Sequence, residues 1–407
     1  MSDPSSAPTT PLRDLVVLEF TQNVMGPSGG LVLADLGADV VKIEPLEGEA
    51  TRFLGGFASG FFNYFNRNKR SLAVDLKTER GRALVHRLAA QADIVLENYA
   101  PGTMERLGCG YETLSAINPR LIYCALKGYL SGPYEKRAAL DEVAQFQSGL
   151  AYMTGPRGKP LRAGASVVDI LGGTSAAVAI LAALRERDQT GKGQFVKSAL
   201  YESAVYLMST HVAGGAYNRI DHVLPMPERG PAWGVYQIFK TADGEDIFVA
   251  ATSDALWQRF CQVFERPDLG ADPRLKRNAD RVKARDWLVP LVAATLAQFT
   301  RAEIEQRCES VGIAFAPVAT VEDLWRDPHL AAHGMAETTL SNGVVTRLPK
   351  LPIEMDGARP EKRMDPPQLG AHSRAVLAEA GLSDGEIDAL IRDKIVASIE
   401  APSPSHR

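Results

Sequence analysis

Five short, nearly uninterrupted apolar runs punctuate the first third of the chain: "DLVVLEF" (14–20), "ADVVKIE" (38–44), "RSLAVDL" (70–76), "ADIVLEN" (92–98) and "RLIYCALKG" (120–128). Runs of this length without polar alternation predict buried strands. Between them lie "GPSGGLVLADLG" (26–37), a glycine turn entering a helix, and "GRALVHRLAAQ" (81–91), an amphipathic helix. Strands that alternate with helices predict the α/β class, here a large Rossmann-like, doubly wound parallel sheet with helices on its faces. A later run, "GASVVDILGGTSAAVAILAAL" (164–184), is apolar and helix-forming except for one carboxylate near its start, Asp169. From the pattern alone the simplest role for that acid is a helix cap.

The pattern changes after about residue 215. Pro-rich "VLPMPERGPAWG" (223–234) reads as a linker, and "VYQIFKTADGEDIFVAAT" (235–252) as a hairpin about an Asp243–Gly244 turn, followed by helices through "EIEQRCESVGI" (303–313). The expected organisation is a large α/β domain over 12–215, completed by 331–400, with a smaller α+β domain over 225–330. The ends, 1–11 and 401–407, read as disordered tails.

Composition narrows the function classes. A net charge of −4 argues against nonspecific nucleic-acid binding. Cys109, Cys124, Cys261 and Cys308 lack both paired metal spacing and the density of a disulfide framework, so they read as reduced thiols. The start, "MSDPSSAPTTP", lacks the basic and apolar regions of a signal peptide, and no run is expected to span a bilayer; a cytoplasmic protein without membrane contact is the expectation.

The candidate chemistry begins with exclusions. A strand, a glycine turn, a helix and a second strand ending in Glu44 imitate a dinucleotide fingerprint. The turn is "VMGPSGG", however, and Pro27 stands where an N–H should face a pyrophosphate, so neither NAD nor a flavin is expected. The seven histidines are dispersed, with no H-E-x-x-H and no close ligand pair, so no metal centre is expected. What remains are polar segments at strand ends: "NRNKRS" (66–71), "ENYAPGTMERLG" (97–108), "LKGYLSGP" (126–133) and "AALDEVAQ" (138–145). Ligands of α/β sheets collect there, and Lys69, Arg70, Arg106 and Lys127 would offer positive charge to an anionic, phosphate-bearing ligand.

These same segments carry a resemblance. "VLEFTQNVMGPSGGLVLADLGADVVKIEP", "NRNKRSLAVDLKTERGRAL", "ADIVLENYAPGTMERLG", "NPRLIYCALKGYLSGPY", "GLAYMTG" and "ALRERDQTGKGQFVKSALYES", in this order, resemble the class III CoA-transferases across nearly the whole chain. The resemblance implies coenzyme A and acyl-CoA as substrates, exchange with a free carboxylic acid, and an intertwined homodimer. It also implies that Asp169 is the nucleophile, passing through an acyl-aspartyl anhydride and an aspartyl-CoA thioester. An apolar helix start would desolvate the carboxylate while the helix N-terminus keeps it ionised, and Gly172 and Gly173 would let backbone N–H groups approach an oxyanion. The positions matching CoA-binding segments are Gln22, Asn23, Val24, Met25, Lys69, Arg70, Asn98, Tyr99, Arg106 and, beside the acyl group, Lys127. Asp141 falls where the family can hold an active-site acid.

Two alternatives accompany this assignment. Racemases of the same family use a histidine before that aspartate, where this chain has Leu140, which cannot accept a proton. A CoA-binding protein without turnover is the other. The segment 126–170 looks most like members that handle C4 and C5 dicarboxylic acyl groups, mesaconyl-CoA transferases in particular, with succinyl, itaconyl, citramalyl or oxalyl groups also in range. A second carboxylate would want an arginine, and Arg52, Arg137, Arg162 and Arg229 are the candidates.

Overall fold

A computed structural model describes residues 10–399, so both tails expected to be disordered lie almost wholly outside the described residues. Two compact units divide the chain: the segment ending at Pro227 together with the segment from His329 onward, and Glu228–Pro328.

The larger unit is built on one sheet. Strands β1 (Val16–Phe20), β2 (Asp39–Glu44), β3 (Lys69–Val74), β4 (Ile94–Glu97), β5 (Ile122–Lys127) and β6 (Phe195–Ala199) run parallel in the order β3-β2-β1-β4-β5-β6. Consecutive residues of β1, β2, β4 and β5 enter opposite cores, which is why these strands read as continuous apolar runs. Leu18, Val41, Leu72 and Val95 face one core, closed by Val85 and Leu88 of helix Glu79–Ala89 and by Val376, Leu377, Ile387 and Leu390 from the carboxyl-terminal segment. Val17, Val40, Ile94 and Ile122 face the other, closed by helices Met25–Asp35 and Val167–Thr190.

In the smaller unit β7 (Val235–Lys240) and β8 (Asp246–Ala251) pair antiparallel, and β9 (Ala314–Pro317) joins β8. Trp257, Phe260 and Leu288 fill their core. In the segment returning to the larger unit, β10 (Met335–Thr339) and β11 (Val345–Pro349) form a two-stranded ribbon. The short β12 (Val396–Ala397) closes the large sheet antiparallel to β3.

Two expectations need correction. Gly29 and Gly30 lie inside helix Met25–Asp35 and form no turn before it. They mark close approach: a Cβ on Gly30 would sit 1.7 Å from Glu19 Oε2, and one on Gly29 would sit 3.0 Å from the Gly173 carbonyl. Pro27 fits in the first helical turn, where its missing N–H has no carbonyl four residues back to meet. Secondly, Val167–Thr190 is long and apolar enough, by length and composition, to cross a membrane, although no such run was expected. The helix continues past the apolar run into charged turns; 44% of its most apolar window is buried, through the face that meets Met25–Asp35 and the sheet.

Candidate active site

The order of the parallel strands reverses direction of growth between β1 and β4, and the loops leaving their carboxyl ends diverge there into a crevice. After β1 the chain turns through Gln22 and Asn23, the latter in the left-handed region at φ 62° that asparagine tolerates. After β4 it turns through Asn98 and Tyr99. Asn98 ties the two loops reciprocally: its Oδ1 accepts from the Gln22 N–H at 2.9 Å and its Nδ2 donates to the Gln22 carbonyl at 2.7 Å. A cleft of about 330 Å³ opens here, walled by Gln22, Asn23, Met25, Asn98, Tyr99, Lys127, Arg137, Leu140, Asp141 and Asp169. A second cavity of about 340 Å³ lies beyond the ends of β2 and β3 and shares Tyr99 with it.

Asp169 occupies the first turn of Val167–Thr190, but it does not cap that helix. The cap comes from Asp141, buried at 5% exposure, whose Oδ2 accepts from the Val168 and Asp169 N–H groups, both at 3.0 Å. Gln145, one turn further along Asp141–Gln147, donates to the other oxygen at 2.5 Å and accepts from the Ala163 N–H at 2.8 Å, which anchors the approach to the long helix. The capping reading of Asp169 is therefore overturned. Its carboxylate accepts no hydrogen bond among the described residues and is left to the cleft.

Charge has the consequence opposite to the one expected of a helix N-terminus. Burial, then the neighbouring charges of Asp141 and Glu142, push the Asp169 carboxyl up to about 7, against a downward pull from Arg162. The helix dipole and its free N–H groups are already taken by Asp141. The carboxylate of Asp169 is thus poorly solvated and without hydrogen-bond donors among the described residues.

The remaining candidates separate. Lys127 reaches the cleft, with its charge held 2.5 Å from Glu97 Oε1 and donating to the Tyr99 carbonyl at 2.8 Å. Leu140 stands 63% exposed at the cleft. Val24 is buried behind it with Leu31 and Phe65, outside the lining. Lys69 is not available to a phosphate: it is fully buried, 2.8 Å from Glu19 Oε2, and also donates to the Pro27 carbonyl and Asn66 Oδ1. Burial brings it down to about 8 against the pull of Glu19. Arg70 is likewise committed, to Asp39 and Glu379, and Arg106 donates to Thr103 Oγ1 at 2.8 Å beside the second cavity. Gly172 and Gly173 offer no oxyanion donors, because they lie inside the helix where N–H groups are used four residues back. They are packing residues: a Cβ on Gly172 would meet Met25 Cε at 2.5 Å, and one on Gly173 would meet Ser28 Oγ at 2.0 Å.

Sequence reasoning missed Gln145, whose signal is its place four residues after Asp141 on one helix face, and the small wall of Gly128, Ala138 and Ala139. The four cysteines are buried and free, and no cluster of metal-ligating side chains occurs among the described residues.

The sequence profile of CoA-transferase family III matches residues 12–373. Succinyl-CoA–D-citramalate CoA-transferase of Chloroflexus aurantiacus is 32% identical over 96% of this chain and 100% of its own length. Succinyl-CoA:mesaconate CoA-transferase of Haloarcula hispanica is 34% identical over 92% of this chain and 97% of its own. Among solved structures, a CaiB/BaiF family protein from Brucella suis superposes with a TM-score of 0.79 at 33% identity, covering 91% of this chain and all of the other. The match runs through the sheet, the cleft and the long helix that carries Asp169, and the chain belongs to CoA-transferase family III.

Proposed function

We propose that this chain transfers CoA between short-chain dicarboxylic acids, with Asp169 as the nucleophile that holds the acyl group and then CoA. The observation that carries the reading is the Asp169 carboxylate, unpaired on the cleft wall while its neighbour Asp141 takes over the helix cap. The names of the relatives supply the substrate class: succinyl-CoA with citramalate, mesaconate or glutarate.

The chemistry balances without a proton donor. An oxygen of Asp169 attacks the thioester carbonyl, the C–S bond breaks, and CoA leaves as a thiolate, giving an acyl-aspartyl anhydride. The thiolate attacks the aspartyl carbonyl, the C–O bond breaks, and the donor acid leaves as a carboxylate, so that Asp169 carries CoA as a thioester. The acceptor carboxylate attacks this thioester and expels the thiolate. The thiolate then attacks the acceptor's acyl carbon, and Asp169 regains its charge. One negative charge passes along at every step, which fits a cleft lined by no histidine. The same absence, with Leu140 beside an Asp141 tied to backbone N–H groups, leaves the racemase reading without a base on that side. Coenzyme A would lie along the loops after β1 and β4, its nucleotide toward the second cavity, through Gln22, Asn23, Met25, Asn98 and Tyr99.

The active form in this reading is an intertwined homodimer. The long helix exposes Ile170, Val178 and Leu181, and the segment following it exposes Tyr206, Val212, Tyr217 and Ile220, an apolar surface that a second copy would cover. A stable monomer in sedimentation at micromolar concentration contradicts the dimer. An exchange screen of CoA esters against short mono- and dicarboxylates, read by mass, tests the activity. Transfer to dicarboxylates by the wild type and none by Asp169→Asn is expected; transfer that survives in the variant refutes the mechanism.

A further inference from the structure

The four arginines that could receive a second carboxylate are no longer equivalent. Arg52 is clamped by Glu44, at 2.7 and 2.6 Å, and by the Pro367 carbonyl. Arg162 pairs with Glu142 at 2.6 Å and donates to the Ala163 carbonyl. Arg229 belongs to the smaller unit and is not among the residues that wall the cleft. Arg137 walls the cleft itself, and its guanidinium has neither an ion pair nor a hydrogen bond among the described residues.

We propose that Arg137 is the specificity-determining residue that receives the distal carboxylate of a dicarboxylic acyl group while the other end reacts at Asp169. The inference rests on the dicarboxylate reading above. Its charge logic is local. Asp141 and Asp169 make the cleft wall acidic, and Lys127, the other lining cation, is already neutralised by Glu97. A dianionic acid brought to Asp169 needs an uncommitted cation, and Arg137 is the one that the lining residues provide.

The side chain is also oriented for the task. Its guanidinium carbon lies 3.9 Å from the centroid of the Tyr134 ring, and Tyr134 is itself packed edge-on against Tyr129, at 5.7 Å. Stacking occupies a face of the guanidinium and leaves the N–H groups in its plane free for a two-pronged bond to a carboxylate. The turn that carries both residues is pinned: the Arg137 N–H donates to the Tyr134 carbonyl at 2.8 Å, and Lys197 Nζ bridges Ser131 Oγ at 3.0 Å and Glu135 Oε1 at 2.6 Å. Gly128 lets the 137–140 segment lie against the end of β5, because a Cβ there would stand 2.5 Å from that of Ala139. Ala138 and Ala139 then leave the adjoining wall low.

The test compares succinate with butyrate, acids of one chain length that differ in the distal carboxylate, as acceptors from a single CoA ester in wild type, Arg137→Met and Arg137→Lys. The expected result is a tenfold or greater fall in the succinate-to-butyrate ratio of kcat/KM in Arg137→Met, with the butyrate value unchanged and partial recovery in Arg137→Lys. An equal fall for both acids overturns the inference, since the arginine would then contact CoA itself, and an unchanged ratio overturns it as well. A wild type that does not prefer succinate refutes the dicarboxylate reading before any variant is made, so the two failures are distinct.

Discussion

Asp169→Asn keeps the volume of the side chain and removes its charge, so the variant measures what the ionised carboxylate costs the fold. Burial, Asp141 and Glu142 raise this carboxyl from 3.8 to about 7. At 1.36 kcal/mol per tenfold change in proton affinity, the full displacement corresponds to about 4 kcal/mol. Water in the open cleft screens part of it and leaves ~2–3 kcal/mol. The sign follows from proton counting. Between 3.8 and about 7 the folded chain holds a proton that the unfolded chain has released, so stability falls as pH rises through this window and the loss is complete above it. Asn does not titrate. The variant should therefore be more stable than wild type, with a gain at about pH 8 roughly one and a half to two times that at about pH 5. For 407 residues the unfolding entropy translates the larger gain into a rise in thermal midpoint of about 3 °C. Scanning calorimetry of both proteins at the two pH values checks this. A gain equal at both pH values, or a variant less stable at the higher one, refutes the placement of Asp169 as a desolvated, donorless acid.

Because the ionised form attacks, kcat/KM for an acyl-CoA should fall tenfold per unit as pH drops below about 7 and level off above it; a profile flat down to about pH 5 contradicts the value given to Asp169. Lys69→Met strands part of the Glu19 charge in the core and should cost about 3 kcal/mol in denaturant unfolding while the CoA affinity of the folded protein is unchanged; a selective loss of CoA binding restores the phosphate role. Gly173→Ala drives a methyl into Ser28 and the Met25 carbonyl, and should cost at least about 1–3 kcal/mol and lower kcat as the helix carrying Asp169 shifts; a neutral variant refutes the close packing of the two helices.

The sheet was legible because strands buried on both faces must be apolar along their length, and five of its six parallel members announce themselves so. Asp169 was legible as an anomaly in an apolar run, although pattern alone assigns it the cap that Asp141 provides. Periodicity cannot say which of two acids 28 residues apart meets a helix N-terminus. The same limit explains Lys69 and Arg70. A lysine at a strand start looks available to a ligand until Glu19, from a strand two places away in the sheet and 50 residues earlier, closes on it. Glycine was the least legible: turn, phosphate loop and helix contact share one letter, and Gly29 and Gly173 become a contact only once two helices distant in sequence cross. Arg137 could be nominated but not ranked, since ranking needs the partners that remove Arg52 and Arg162.

The covalent intermediate is the central claim, and hydroxylamine trapping tests it most directly. Enzyme mixed with an acyl-CoA and hydroxylamine should lose activity and carry a hydroxamate on the peptide containing Asp169, while either reagent alone leaves the protein unlabelled. A hydroxamate on Asp141 in place of Asp169, or full activity with no label during turnover, would contradict the account.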